Sequence, residues 1–268
     1  ARGDFVQFLD SDDVLDTEKV ALQLAALEGA PDAEVALCHG VVETERGEEE
    51  IGPDLGERPA AYVEALCGRG VHVIQTSAPL WRRSFLGGMR RWNPAISLGD
   101  DLEFHARCLA EARRVVFVPR RLFTVRRHAG DRLSDFSIDD SRLASLLATR
   151  EAVHEALVAR GAWTAACAAG SAAAVRSIYL NYLRRMPDAD LERLERTALR
   201  MTFGSRQGAL LANFFRVRRV LGRKATLGLL NHASGRLARL TPRRVQAGLV
   251  RLSRRLARLR LSHAFVTA

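Results

Sequence analysis

Three carboxylates close an apolar run near the start of this chain: Phe5-Val6-Gln7-Phe8-Leu9 leads directly into Asp10-Ser11-Asp12-Asp13. Hard divalent cations such as Mg2+ and Mn2+ take oxygen ligands and often bridge one or two carboxylates to phosphate oxygens. An Asp-x-Asp spacing lets one acid reach the cation while another reaches a ligand hydroxyl or a bound water. The competing reading is an Asp-rich turn ahead of a helix over 18–27, capped by Asp16 or Thr17. Spacing alone leaves the two level.

A second acid pair, Asp100-Asp101, precedes an amphipathic run from Leu102 to Ala112 with Leu102, His105 and Leu109 on one face. At a helix N-terminus the macrodipole favours an ionised carboxylate, which suits a proton acceptor; simple N-capping is the alternative. A third group is Arg126-Arg127-His128. Guanidinium groups neutralise phosphate oxygens, and a neutral imidazole can ligate Mn2+. Taken singly, His128 reads as a surface-loop histidine.

These residues need a scaffold. Phe5–Leu9 reads as a buried strand of the parallel-sheet type. In open α/β sheets ligands bind beyond the carboxyl ends of strands, which is where Asp10, Asp12 and Asp13 fall. Glu34–His39, Val71–Ile74 and Val115–Val118 read as further strands. From the 140s onward the pattern is helical: to Arg160, then Trp163–Met186 and Asp188–Thr202, punctuated by Gly161, Pro187 and Gly204. A last amphipathic helix is expected from Thr241, with Pro242 in its first turn. Val245, Leu249, Leu252, Leu256 and Leu259 line one of its faces, and Arg244, Arg251, Arg254, Arg255 and Arg258 the other.

Three blocks, in order, resemble the family 2 glycosyltransferases of the GT-A fold. The first is Arg2 to Asp13. The second joins Pro79-Leu80-Trp81-Arg82-Arg83-Ser84-Phe85-Leu86 to Trp92-Asn93-Pro94 and Gly99-Asp100-Asp101-Leu102-Glu103-Phe104. The third joins Val115-Val116-Phe117-Val118-Pro119 to Leu122 through His128, with Ser134 trailing. The family's usual Glu-Asp is Asp100-Asp101 here, which keeps the charge and shortens one arm. The resemblance covers about residues 1–135. It implies inverting, metal-dependent sugar transfer from a nucleotide-diphosphate donor to an acceptor hydroxyl. It makes Asp101 the general base, Asp12 and His128 ligands of Mn2+ or Mg2+, Asp10, Asp13 and Arg126 donor-side residues, and Asp100 and Trp81 acceptor-side residues. It further implies strands that cradle the nucleotide base ahead of Ala1. On that ground the chain alone is expected to bind donor poorly and turn over little.

Charge divides the chain. Residues 1–140 carry a net −8 and residues 141–268 a net +18, and no acid follows Glu195. All basic residues but Lys19 and Lys224 are Arg, a bias that a GC-rich coding sequence produces. A basic amphipathic helix can lie on an anionic membrane surface. It can also pack by its Leu face with its Arg face solvated. The sparse aromatics argue against nucleic acid, which stacks its bases on such rings. No apolar run approaches the roughly 18 residues of a membrane span. Cys38, Cys67, Cys108 and Cys167 have no metal spacing and read as core residues of a reducing compartment.

The sequence therefore predicts an α/β chain: a partial GT-A, Rossmann-like mixed sheet domain over 1–138, then an all-α basic extension over 139–268. The expected partners are a nucleotide-diphosphate sugar, a glycan or lipid-linked acceptor and an anionic membrane surface. The expected place is the cytoplasm or the inner face of the plasma membrane. The alternative is a non-catalytic membrane- or polymer-binding module derived from a transferase fragment.

Overall fold

The structure is a computed structural model. It describes residues 2–44, 47–69, 73–89, 91–126, 140–182, 186–206, 208–216, 218–220 and 222. Two compact units divide the chain, Ala1–Gly170 and Ser171–Ala268. The break in charge and secondary structure near residue 138 thus precedes the end of the sheet-bearing unit, because α5 (Asp140–Ala159) packs against α4 (Asp100–Leu109) within it.

The first unit is built on a mixed sheet in the order β1 (Phe5–Gln7), β5 (Leu80–Arg82), β3 (Val35–Thr44), β6 (Val115–Val125), β2 (Val14–Leu15). The pair β3–β6 is parallel; β1–β5, β5–β3 and β6–β2 are antiparallel. A further strand, β4 (Gly47–Ile51), pairs antiparallel with the later half of β3. Strands β1, β3 and β6 therefore point the same way.

Side chains alternate across the sheet through the first residues of β3, β5 and β6, as a two-residue period requires. Val35, Leu37, Trp81 and Val115 enter one core with Tyr62, Leu66, Leu102 and Leu109. Ala36, Leu80 and Val116 enter the other with Leu27, Ala30 and Ala33. The helix on this second face is α1 (Lys19–Glu28), and its buried stripe is Lys19, Gln23 and Leu27, at i, i+4 and i+8. On the first face lie α4 and α2 (Pro59–Arg69), with the short α3 (Arg83–Gly87) following β5.

Several expectations shift. Phe5–Leu9 shortens to Phe5–Gln7, half-buried at the end of the described sheet and paired antiparallel, not flanked on both sides by parallel strands. Val115–Val118 lengthens to Val125: the chain runs through Pro119 because the register with β3 slips between Cys38↔Val118 and His39↔Arg121, so no ladder donor is demanded of the proline. Glu34–His39 lengthens to Thr44. There the ring of Phe123 crosses directly over Gly40, where a Cβ would stand 2.2 Å from the ring. Val73 and Ile74 are buried but form no strand, and residues 70–72 lie outside the described residues.

In the second unit the later part of α6 (Ala165–Tyr182) and α7 (Asp188–Met201) match the expected helices to within a few residues. Glu195 on α7 is fully buried, and both Arg218 (2.6 Å) and Arg219 (3.3 Å) approach it. The expected helix beginning at Thr241 lies outside the described residues. Among the described residues no helix is long and apolar enough to cross a membrane.

Candidate functional site

Asp10 and Asp12 are exposed at the carboxyl end of β1, on a turn closed by the Asp13 amide donating to the Asp10 carbonyl (3.1 Å). That turn leads into β2, which pairs with the last turn of β6 at Phe123 and Thr124. The Asp16 carboxylate accepts from the Glu18 amide (2.8 Å) just ahead of α1, but the N-cap is Glu18 and carries no side-chain cap hydrogen bond, so neither Asp16 nor Thr17 caps the helix as expected. Two of the other acids have partners in the segment 76–77. Ser77 Oγ donates to Asp13 Oδ2 at 2.6 Å, and the Thr76 side chain hydrogen-bonds Asp10. Arg126 stands exposed just beyond the carboxyl end of β6. His128 lies outside the described residues.

The second acid pair opens α4. Gly99, at φ 80°, adopts the left-handed conformation that lets the chain turn into the helix, and Asp100 and Asp101 fill its first turn. The turn is held from behind by α5. Ser145 Oγ accepts from the amides of Ser97 (2.9 Å) and Leu98 (3.0 Å), and Thr149 Oγ1 donates to the Leu98 carbonyl (2.7 Å). Asp101 Oδ1 accepts from the Leu102 amide at 2.7 Å.

The two acid groups share one electrostatic neighbourhood. Burial pushes the Asp10 carboxyl above its usual range, and the charges of Asp12 and Asp100 push it further, against the Thr76 hydrogen bond. Burial pushes Asp101 up to about 7, with Asp100 and Asp10 adding to the rise and the Leu102 amide opposing it. The macrodipole argument predicts an acid held charged; loss of water around Asp101 outweighs it. A carboxylate that titrates near neutrality is suited to exchange protons with a substrate.

Below these acids α4 is stiffened by aromatic and ionic packing. Trp92 stacks on Phe104 (4.4 Å between ring centres), and Phe8, just after β1, meets both rings edge-on at 5.4 Å. Glu103 and Arg107 form a buried ion pair at 2.7 Å, and Arg107 also donates to the Arg91 carbonyl (3.2 Å). A cleft of about 290 Å³ opens between this pair and residues 91–94. A second, of about 380 Å³, lies over β2 and β6 beside Asp16 and Arg121. Neither is lined by Asp10 or Asp101.

Trp81 requires a correction. The acceptor-side expectation needs an accessible ring, and Trp81 is 0% exposed, lying between Phe85 and His105 in near-parallel stacks at 5.8 and 6.1 Å. It is a core residue. His105 is equally buried, and its ring is held neutral, with the pKa pushed down to about 3 by burial.

Sequence reasoning missed the polar residues behind the acids: Thr76 and Ser77 behind the first group, Ser145 and Thr149 behind the second, and Lys19 and Gln23 beneath. One signal was available. Lys19 and Gln23 share the helical stripe of Leu27, so polar side chains occupy core-facing positions of α1.

No family model and no curated protein matches the chain. Solved structures do match. The structure of S. aureus TarS 1-349 in complex with UDP-GlcNAc superposes with a TM-score of 0.59 at 14% sequence identity, over 85% of this chain and 65% of that one. The fold is glycosyltransferase-like. The chain spans just under two thirds of the length of the TarS chain it matches.

Proposed function

We propose that the protein is a glycosyltransferase of the family 2 type, transferring a sugar with inversion from a nucleotide-diphosphate donor to an acceptor hydroxyl, in the assembly of a cell-surface polysaccharide or glycolipid. The observation that carries this reading is a glycosyltransferase-like fold with Asp10 and Asp12 at the carboxyl end of β1 and Asp100 and Asp101 in the first turn of α4. The UDP-GlcNAc bound by TarS makes a UDP-sugar the first donor to try.

In this reading Asp101 accepts the proton of the acceptor hydroxyl as its oxygen attacks the anomeric carbon. The bond from that carbon to the diphosphate breaks, and its electron pair leaves with the diphosphate. Charge builds on the leaving group, and Arg126 offers a counter-charge. Asp100 stands beside the base on the acceptor side.

The first acid group fits a hard cation by chemistry. Asp10, Asp12 and Asp13 offer oxygen donors only, and among the described residues no group of three acidic, His or Cys side chains is placed to hold a metal ion, so at most two carboxylates would bind it and phosphate oxygens or water would supply the rest. Such a set suits Mg2+ or Mn2+, which keep positions open for phosphate oxygens. Asp12 would hold the ion with Asp10 beside it, and His128 is the further candidate ligand. When bound, the ion supplies electrostatic stabilisation of the departing diphosphate.

The test is release of nucleoside diphosphate from a panel of nucleotide sugars with Mn2+ and candidate acceptors, run on the protein at its full natural length. Acceptor-dependent release supports the reading; none across the panel, with binding absent as well, rejects it. A second reading is favoured by the −8 and +18 charge split: a basic module that binds a membrane or polymer without catalysis, peripheral on the inner face of the plasma membrane. Co-sedimentation with anionic but not neutral vesicles, without turnover, would select it.

A further inference from the structure

Lys19 is fully buried on the core-facing stripe of α1. A hydrocarbon side chain would fill that position at lower cost, because an ammonium taken from water must recover its hydration. Lys19 does so through three acceptors, which matches its three donors. Nζ donates to Gln7 Oε1 at 2.7 Å, to Gln23 Oε1, and to the Ala78 carbonyl at 3.2 Å. Burial also lowers its pKa to about 8.

These acceptors come from three elements: Gln7 from β1, Gln23 from α1, and Ala78 from the segment before β5. The two glutamine amides reinforce the junction. Gln23 Nε2 donates to Ala78 O (3.0 Å) and to Ala36 O of β3 (2.8 Å), and Gln7 Nε2 donates to Ser77 O (3.1 Å). The backbone of residues 77 and 78 is thereby held at three points from below. The side chains of the same segment reach the other way, Thr76 to Asp10 and Ser77 to Asp13.

We propose that Lys19 is the positioning residue of the first acid group: its ammonium fixes the 76–78 segment, and that segment orients Asp13 through Ser77 and flanks Asp10, beside the Asp12 that would hold a divalent cation. The cation part rests on the glycosyltransferase reading; the anchoring part does not. A buried polar hub that contacts none of the acids, yet reaches Asp13 through Ser77, is a second layer of the kind that tunes metal affinity.

The experiment uses the full chain and Mn2+ as the probe. Lys19→Met removes the ammonium at nearly constant volume. Thr76→Val/Ser77→Ala cuts the upper links and leaves the buried hub intact. Lys19→Met is expected to speed hydrogen exchange at the amides of residues 76–80 about tenfold or more and to weaken Mn2+ binding about tenfold. The double variant is expected to reproduce the Mn2+ loss with wild-type exchange and an unchanged melting temperature, a split that a purely structural role would not give. A folded Lys19→Met protein with wild-type protection at residues 76–80 overturns the proposal. If Lys19→Met does not fold, the double variant decides, and wild-type Mn2+ affinity in it overturns the proposal. If the wild type binds no Mn2+, the metal part of the functional reading fails. Loss of protection in Lys19→Met then still upholds the anchor, and retained protection overturns it.

Discussion

The two acid groups solve different electrostatic problems. Asp10 and Asp12 stand on an exposed turn, where partial burial and the neighbouring acids raise the Asp10 carboxyl above its usual range and a counter-ion would relieve the crowding. Asp101 stands at a helix N-terminus that ought to favour its anion, yet burial and the neighbouring acids bring it to about 7. Openness suits holding a cation, and deeper burial suits moving a proton. Their supports differ in the same sense: the open turn is tied through Ser77 and Thr76 to a buried ammonium, while the buried acid is backed by Ser145 and Thr149 of α5.

The sharpest way to break this contrast is to neutralise each acid in turn. Asp101→Asn should lower acceptor-dependent turnover by about 10³-fold with Mn2+ and donor binding retained, in keeping with the loss of a general base; steady-state kinetics and calorimetry together read it. Asp12→Ala should do the opposite, weakening Mn2+-dependent donor binding by about 10- to 100-fold, measured by titrating Mn2+ at fixed donor. Equal losses of binding in both variants would erase the distinction.

Stability offers a second contrast. The folded state holds the Asp101 proton more tightly than the unfolded chain, so its contribution is present at low pH and is lost as pH rises from 3.8 to about 7. Asp101→Asn should therefore stabilise the protein at pH 8, by about 2 kcal/mol once partial exposure is allowed for, and change little at pH 4. Urea midpoints at the two pH values check this. His105 acts in the other direction. Its ring is lowered from 6.5 to about 3, so the unfolded state takes up the proton first and stability falls as pH drops below 6.5. By pH 5 the loss is about 2 kcal/mol, and His105→Leu should flatten that slope. The smallest effect expected is in the support of the buried acid: Thr149→Val should cost turnover about fivefold, roughly 1 kcal/mol for one hydrogen bond, with Mn2+ binding unaltered.

Local signals were legible in the sequence and paired ones were not. The acid turn after Phe8, the acids opening α4 and the long helices α5 and α7 each follow from a few adjacent residues. Strand β5 is three residues long and owes its existence to β1 and β3 on either side, which no local pattern announces. Strand β4 has no apolar alternation to announce it, because Glu48, Glu49 and Glu50 give an exposed edge and only pairing with Glu43, Val42 and Val41 orders it. Trp81 matched a motif and looked available for a ligand, yet the alternation that sends Leu80 to one face sends Trp81 into the opposite core. Lysine is seldom fully buried, and nothing adjacent to Lys19 in the sequence marks it as an exception. Its burial depends on Gln7 and Ala78, 12 and 59 residues away.

In the proposed mechanism Asp101, its carboxyl raised to about 7 by burial, takes the acceptor proton. The pH dependence of kcat/KM for sugar transfer, measured with saturating Mn2+ between pH 5 and 9, tests it most directly. A rising limb with an apparent pKa near 7 that is absent from the residual activity of Asp101→Asn is the predicted result. An Asp101→Asn protein that turns over at near the wild-type rate with the same pH profile would contradict it.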